Sequence, residues 1–118
     1  MGWIGVDLDG TLAMHGGGAV GEIGAPIPAM VDRVKAWLAE GREVRIFTAR
    51  VSGPSDLADE QRGLVAVWCL EHLGAILAVT NEKDYGMVSL YDDRCVAVET
   101  NTGRLMWAPR VIQGGRRE

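Results

Sequence analysis

The chain has 118 residues, room for one small α/β or β domain (1–118) and none for a second. Apolar residues make up 47% and charged residues 24%, a balance that excludes a disordered or collagen-like chain. Against 16 Asp and Glu stand 12 Lys and Arg, a net charge of −4 and the wrong sign for a dedicated nucleic-acid coat.

The N-terminus has no basic region followed by an apolar stretch, and Val6 spoils a myristoylation pattern, so a cytoplasmic chain is expected. Residues 3–8 (Trp-Ile-Gly-Val-Asp-Leu) form a short apolar run ending in an acidic, glycine-bearing corner, as a buried parallel strand does where it leaves its sheet. Residues 13–28 hold five glycines and two prolines and read as a loop, used as a flap. Gly16 to Gly21 fit G-x-G-x-x-G, but they do not directly follow a strand, and Pro26 and Pro28 keep a helix from opening there; the dinucleotide fingerprint is rejected. Ile27, Met30, Val31, Val34, Trp37 and Leu38 then recur at helical spacing, with Pro28 suited to a first turn and Gly41 to a stop, which predicts an amphipathic helix.

Residues 43–48, β-branched and aromatic, predict a second strand after a short α-to-β connection. Residues 52–56 read as a turn with a helix cap, and 57–73 as a second helix closed by Gly74, with His72 meeting the dipole at its C-terminus. Trp37 and Trp68 are assigned to the core. The run 64–70 is the longest wholly apolar stretch and falls far short of the roughly 18 residues that span a bilayer, so no membrane segment is expected. Residues 75–79 supply a third strand and 88–91 a fourth, while 95–99 and 104–107 around Asn101-Thr102-Gly103 read as a terminal β-hairpin. Cys69 and Cys95 lack C-x-x-C spacing and nearby histidines, and are expected to be two buried thiols. The end, 113–118, reads as a frayed tail, and Arg116-Arg117 is too short a basic run to argue nucleic acid. Strands alternating with helices predict a three-layer, mostly parallel α/β sheet with right-handed crossovers, its reactive groups at the strand C-terminal edge.

Four segments fall where predicted strands end: Asp7-Leu8-Asp9-Gly10-Thr11, Thr48-Ala49-Arg50, Asn81-Glu82-Lys83 and Asp92-Asp93. Asp7 and Asp9 are two apart and point the same way on an extended backbone, and Gly10 lets the chain turn sharply behind them. Carboxylates brought close repel unless a cation or a proton intervenes, and Asp92 and Asp93 double the problem. A hard, oxygen-seeking Mg²⁺ is the natural answer. Taken singly, Thr48 is an ordinary strand-terminal threonine, Lys83 a solvated lysine and Asp92-Asp93 as much a turn as a metal site. Order and position in the series are what argue for chemistry. Arg50 stays open between a second phosphate contact and a structural ion pair, and His15, beside a glycine loop, reads as exposed more readily than as a substrate contact.

In that order the four segments resemble the motifs of the haloacid dehalogenase superfamily of phosphohydrolases. The runs Ile46-Phe47-Thr48-Ala49-Arg50 and Thr80-Asn81-Glu82-Lys83-Asp84-Tyr85-Gly86 look like the small capless members found in phages and bacteria. The resemblance covers residues 3–99 and implies a Rossmann-like fold without a cap domain, and a Mg²⁺-dependent phosphatase acting on a small phosphorylated substrate. It implies that Asp7 attacks phosphorus to form an aspartyl phosphate, and that Asp9 protonates the leaving oxygen and then takes a proton from the hydrolytic water. Thr48 and Lys83 would bind the phosphoryl oxygens, with Gly10, Thr11, Ala49 and Arg50 around them. Mg²⁺ would be held by Asp7, the main-chain carbonyl of Asp9 and Asp93, with Asp92 behind. One departure is visible: a full helix usually follows the lysine, yet only residues 84–87 separate Lys83 from the next strand. Two other functions compete: a nucleic-acid end phosphatase, suggested by Asp92-Asp93-Arg94 and opposed by the missing basic face, and a non-catalytic Mg²⁺- or phosphate-binding module, opposed by the presence of both Asp7 and Asp9. Too few residues separate the motifs for an independent cap. Cover for the site must come from the flap at 13–25, which is favoured, from a neighbouring copy in a homo-oligomer, or from a large substrate.

Overall fold

The computed structural model describes residues 2–15 and 21–106. Within them run β1 (Trp3–Asp7), α1 (Pro28–Ala39), β2 (Glu43–Phe47), a 3₁₀ turn (Ala49–Val51), α2 (Ser55–Leu73), β3 (Ala78–Thr80) and β4 (Met87–Tyr91). The expected α/β class holds: the four strands form one sheet in the order β3-β2-β1-β4, and every neighbouring pair is parallel.

Alternation along the strands decides where the core lies. Ile4 pairs with Val44 and Val6 with Ile46, and all four are buried. Because side chains alternate faces along a strand, these residues share one face. They form a single cluster with Met30, Val31 and Val34 of α1 and Val65, Trp68, Cys69 and Leu73 of α2. Each such aliphatic side chain contributes about 1.5–3 kcal/mol by leaving water. Trp37 is half-buried against the cluster and tilts onto Tyr91 of β4, ring centroids 4.9 Å apart.

Both helices therefore cover the same face, and the described residues make two layers instead of the expected three. The reason is topological. The crossovers β1-α1-β2 and β2-α2-β3 step in the same direction, so right-handed connections deliver both helices to one side. The return from β3 to β4, residues 81–86, passes to the other side of β1 without a helix. What closes the second face is a compact stack. Trp3, 1% exposed, lies under the Arg45 guanidinium at 4.5 Å and donates its indole N–H to Asp84 at 2.8 Å. Gly5 leaves room beneath: a Cβ there would sit 3.1–3.2 Å from Leu90, Trp3 and Met87.

Several expected boundaries move. β1 ends at Asp7, because the Leu8 carbonyl accepts the N–H groups of Thr11, Leu12 and Ala13 and so closes a tight turn. The expected cap near Ser52 does not form; the Ser52 hydroxyl donates back to the Ala49 carbonyl at 2.6 Å, and α2 begins at Ser55, behind Pro54, without a side-chain cap. β3 starts at Ala78 and runs to Thr80, and Leu77 just ahead of it is buried in the core cluster. The terminal hairpin shrinks to one antiparallel bridge, Val98 to Leu105, around Asn101 and Gly103 at φ 68° and 80°. Cys69 is buried as expected, whereas Cys95 is exposed, and neither is in a disulfide. Among the described residues no helix is long and apolar enough to cross a membrane. Most of the G-x-G-x-x-G match, the tail and Trp107 lie outside the described residues.

Candidate active site

In an open parallel sheet, ligands bind beyond the strand C-termini where the strand order reverses. Here the chain leaves β1 for β2 on one side and later adds β4 on the other, so the crevice lies between β1 and β4. Asp7 is the last residue of β1, and Asp92 and Asp93 directly follow β4. One carboxylate oxygen from each of the three lies within 4.8 Å of the others.

Thr11 joins them. Its Oγ1 is 3.2 Å from Asp7 Oδ2 and 3.1 Å from Asp93 Oδ1, and it accepts the Asp93 N–H at 2.9 Å. A hydroxyl carries one proton, so it can satisfy only one of the two carboxylates at a time. Gly10, at φ 94°, brings the backbone so near Asp93 that any side chain would collide. Burial, the Asp93 hydrogen bond and the charge of Asp92 push the Asp7 carboxyl from 3.8 up to about 7, with Thr11 opposing. Asp92 is turned by the Arg94 N–H, which donates to its Oδ1 at 2.7 Å.

Thr48 is 2% exposed at the end of β2, and its backbone N–H donates to the Thr80 carbonyl at 2.9 Å. Its Oγ1 accepts the Arg50 N–H at 3.1 Å, a bond that uses a lone pair and not the hydroxyl proton. Lys83 is exposed on the 81–86 connection and lines a cleft of about 780 Å³ with Asp92 and Cys95. Burial and the charges of Asp92 and Asp7 raise the Cys95 thiol, which Lys83 lowers. Sequence reasoning passed over Cys95 as core; its only signal was its place three residues after Asp92.

The Asp9 carboxylate is not among the three that converge. Arg50 Nε donates to Asp9 Oδ2 at 2.7 Å and Arg50 Nη2 to Oδ1 at 2.9 Å, a bidentate pair. Nη1 donates to the Gly21 carbonyl at 2.7 Å and to Gln61 at 2.9 Å, and Nη2 also to the Glu22 carbonyl at 3.3 Å. All five N–H groups of the guanidinium are thus engaged. Of the two readings left open for Arg50, the ion pair is the one that forms. Gln61 had no sequence signal at all. Ala49 opens the 3₁₀ turn beside Thr48, and His15 is exposed.

No protein-family model matches the chain, and no curated protein matches it. Among solved structures it is similar to a conserved protein from Bacteroides thetaiotaomicron, at 25% identity and a TM-score of 0.56, over 80% of this chain and 78% of that one. That likeness supports a shared α/β architecture.

Proposed function

We propose that the chain is a Mg²⁺-dependent phosphohydrolase that cleaves a phosphate monoester through an aspartyl-phosphate intermediate. The observation that carries this reading is the convergence of Asp7, Asp92 and Asp93 at the crevice between β1 and β4. Three carboxylates with Thr11 among them form a hard-oxygen donor set suited to Mg²⁺, and the Asp7 carboxyl, pushed up first by burial and then by Asp93 and Asp92, is a group whose ionised form a cation would stabilise. Asp7, Asp93 and the Asp9 main-chain carbonyl would hold the ion, with Asp92 behind. When bound, it supplies charge neutralisation for an anionic nucleophile meeting an anionic phosphate.

The residues divide the remaining work. An Asp7 oxygen bonds to phosphorus as the bond to the leaving oxygen breaks, and that oxygen takes the Asp9 proton. Water then attacks the same phosphorus, gives its proton to Asp9, and the bond to Asp7 breaks to release phosphate. The Thr48 hydroxyl proton and the Lys83 ammonium stabilise the non-bridging oxygens. A small phosphorylated substrate fits the net negative charge better than a polyanion does.

The test is phosphate release from p-nitrophenyl phosphate and from a panel of sugar phosphates, nucleotides and phosphorylated oligonucleotides, with Mg²⁺ and with EDTA. Turnover that needs Mg²⁺, is abolished in Asp7→Asn, and passes through a hydroxylamine-labile adduct on the Asp7 peptide supports the reading. A chain that binds Mg²⁺ and turns over none of them is a binding module instead.

A further inference from the structure

We infer that Arg50 is a positioning residue for Asp9, tying that carboxylate to residues 21–22 and to α2. The catalytic half of this inference rests on the phosphohydrolase reading; the tie itself does not. A planar guanidinium whose five donors all meet acceptors has essentially one orientation open to it. Those acceptors come from three separate parts of the chain: Asp9 beyond β1, the Gly21 and Glu22 carbonyls, and Gln61 on α2. The arginine is also fixed at its root, where its N–H is held by Thr48, and its side chain is only 14% exposed.

Two consequences follow from that geometry. Arg50 has no donor left for a phosphate, so its influence on the reaction passes through Asp9. Asp9 in turn is held through both oxygens, so its carboxylate takes the orientation the guanidinium sets, and the same guanidinium is registered on Gly21 and Glu22. The placement of residues 21–22 and the orientation of the Asp9 carboxylate are thereby coupled. Two residues on, the Gly24 carbonyl accepts the Trp68 indole N–H at 2.9 Å, which stitches the segment to α2 and provides a built-in reporter.

The test compares wild type, Arg50→Lys and Arg50→Ala on p-nitrophenyl phosphate, whose leaving group needs no proton, and on glycerol phosphate, whose leaving oxygen does. In both variants kcat is expected to fall at least about tenfold more on glycerol phosphate, with KM changed less than about threefold, because lysine restores charge without the planar fork. Equal losses on the two esters, or full rescue by Arg50→Lys, overturn the positioning role. The tie is read without turnover from the indole N–H resonance of Trp68, identified by its loss in Trp68→Phe. That resonance is expected to shift in Arg50→Ala and in Asp9→Asn; an unmoved signal in both overturns the tie. A wild-type chain that cleaves no phosphate ester while the Trp68 signal moves overturns the phosphohydrolase reading and leaves the tie standing.

Discussion

Gly10 and Asp93, 83 positions apart, approach so closely that a Cβ on Gly10 would sit 2.6 Å from Asp93 Oδ2. The turn after β1 is thus shaped to let the β4 carboxylate in. Gly10→Ala adds that clash to the strain of φ 94°, which a side chain rarely adopts. We expect a loss of about 1–3 kcal/mol in stability and about tenfold weaker Mg²⁺ binding, measured by denaturant titration and calorimetry. Unchanged Mg²⁺ affinity would show that the close approach does not set the cluster.

The metal-free protein should lose stability as pH rises through the window from about 4 to about 7. Asp7 holds its proton in the fold up to about 7, whereas the unfolded chain releases it near 3.8. The folded state therefore binds more protons across that window, and stability falls with pH until both forms are ionised. Melting temperatures in EDTA should be lower at pH 8 than at pH 5, and Mg²⁺ should add more at pH 8. Asp7→Asn should flatten the difference; a slope that survives it belongs to another group.

Asp93→Ala is expected to weaken Mg²⁺ binding more than Asp92→Ala. Asp93 shares Thr11 with Asp7, while Asp92 Oδ1 is committed to the Arg94 N–H. Titration of both variants decides the order, and the reverse result would exchange the two roles without removing the site.

Trp3→Phe should cost about 1–3 kcal/mol, from lost volume on a face that carries no helix among the described residues and from the lost indole bond to Asp84. Because that bond anchors residues 81–86, KM should rise through a displaced Lys83 while kcat changes less. A variant with lowered stability and wild-type KM would separate the stack from the lysine.

Asp7, Thr48 and Asp92-Asp93 were legible because position at a strand end is a local property, carried by an apolar run stopping at a polar residue; Asp9, expected to point with Asp7, lies past the end of β1 and pairs with Arg50 instead. The sheet was legible for the same reason. The two-layer arrangement of the described residues was legible only in part: the short 84–87 spacing leaves no room for a helix after Lys83, but the side of β1 to which residues 81–86 carry the chain is not encoded in Asn81-Glu82-Lys83-Asp84. Nor could the sequence choose a partner for Arg50, 41 positions from Asp9, between a phosphate and a carboxylate with equal claims on a guanidinium. The terminal hairpin forms in part: Asn101 and Gly103 turn the chain and Val98 bridges Leu105, but the segments beside them are largely exposed and have little face to bury.

The strand order β3-β2-β1-β4 places the last of the four described strands to be synthesised against the first of them. While the chain emerges from the ribosome, β1, β2 and β3 can assemble with Asp7, Asp9 and Thr48 already in place, but Asp92 and Asp93 are still missing. Under the phosphohydrolase reading, reactivity toward phosphate would then be acquired only once β4 docks beside β1, and a nascent chain stalled before Met87 would carry a nucleophile it cannot use.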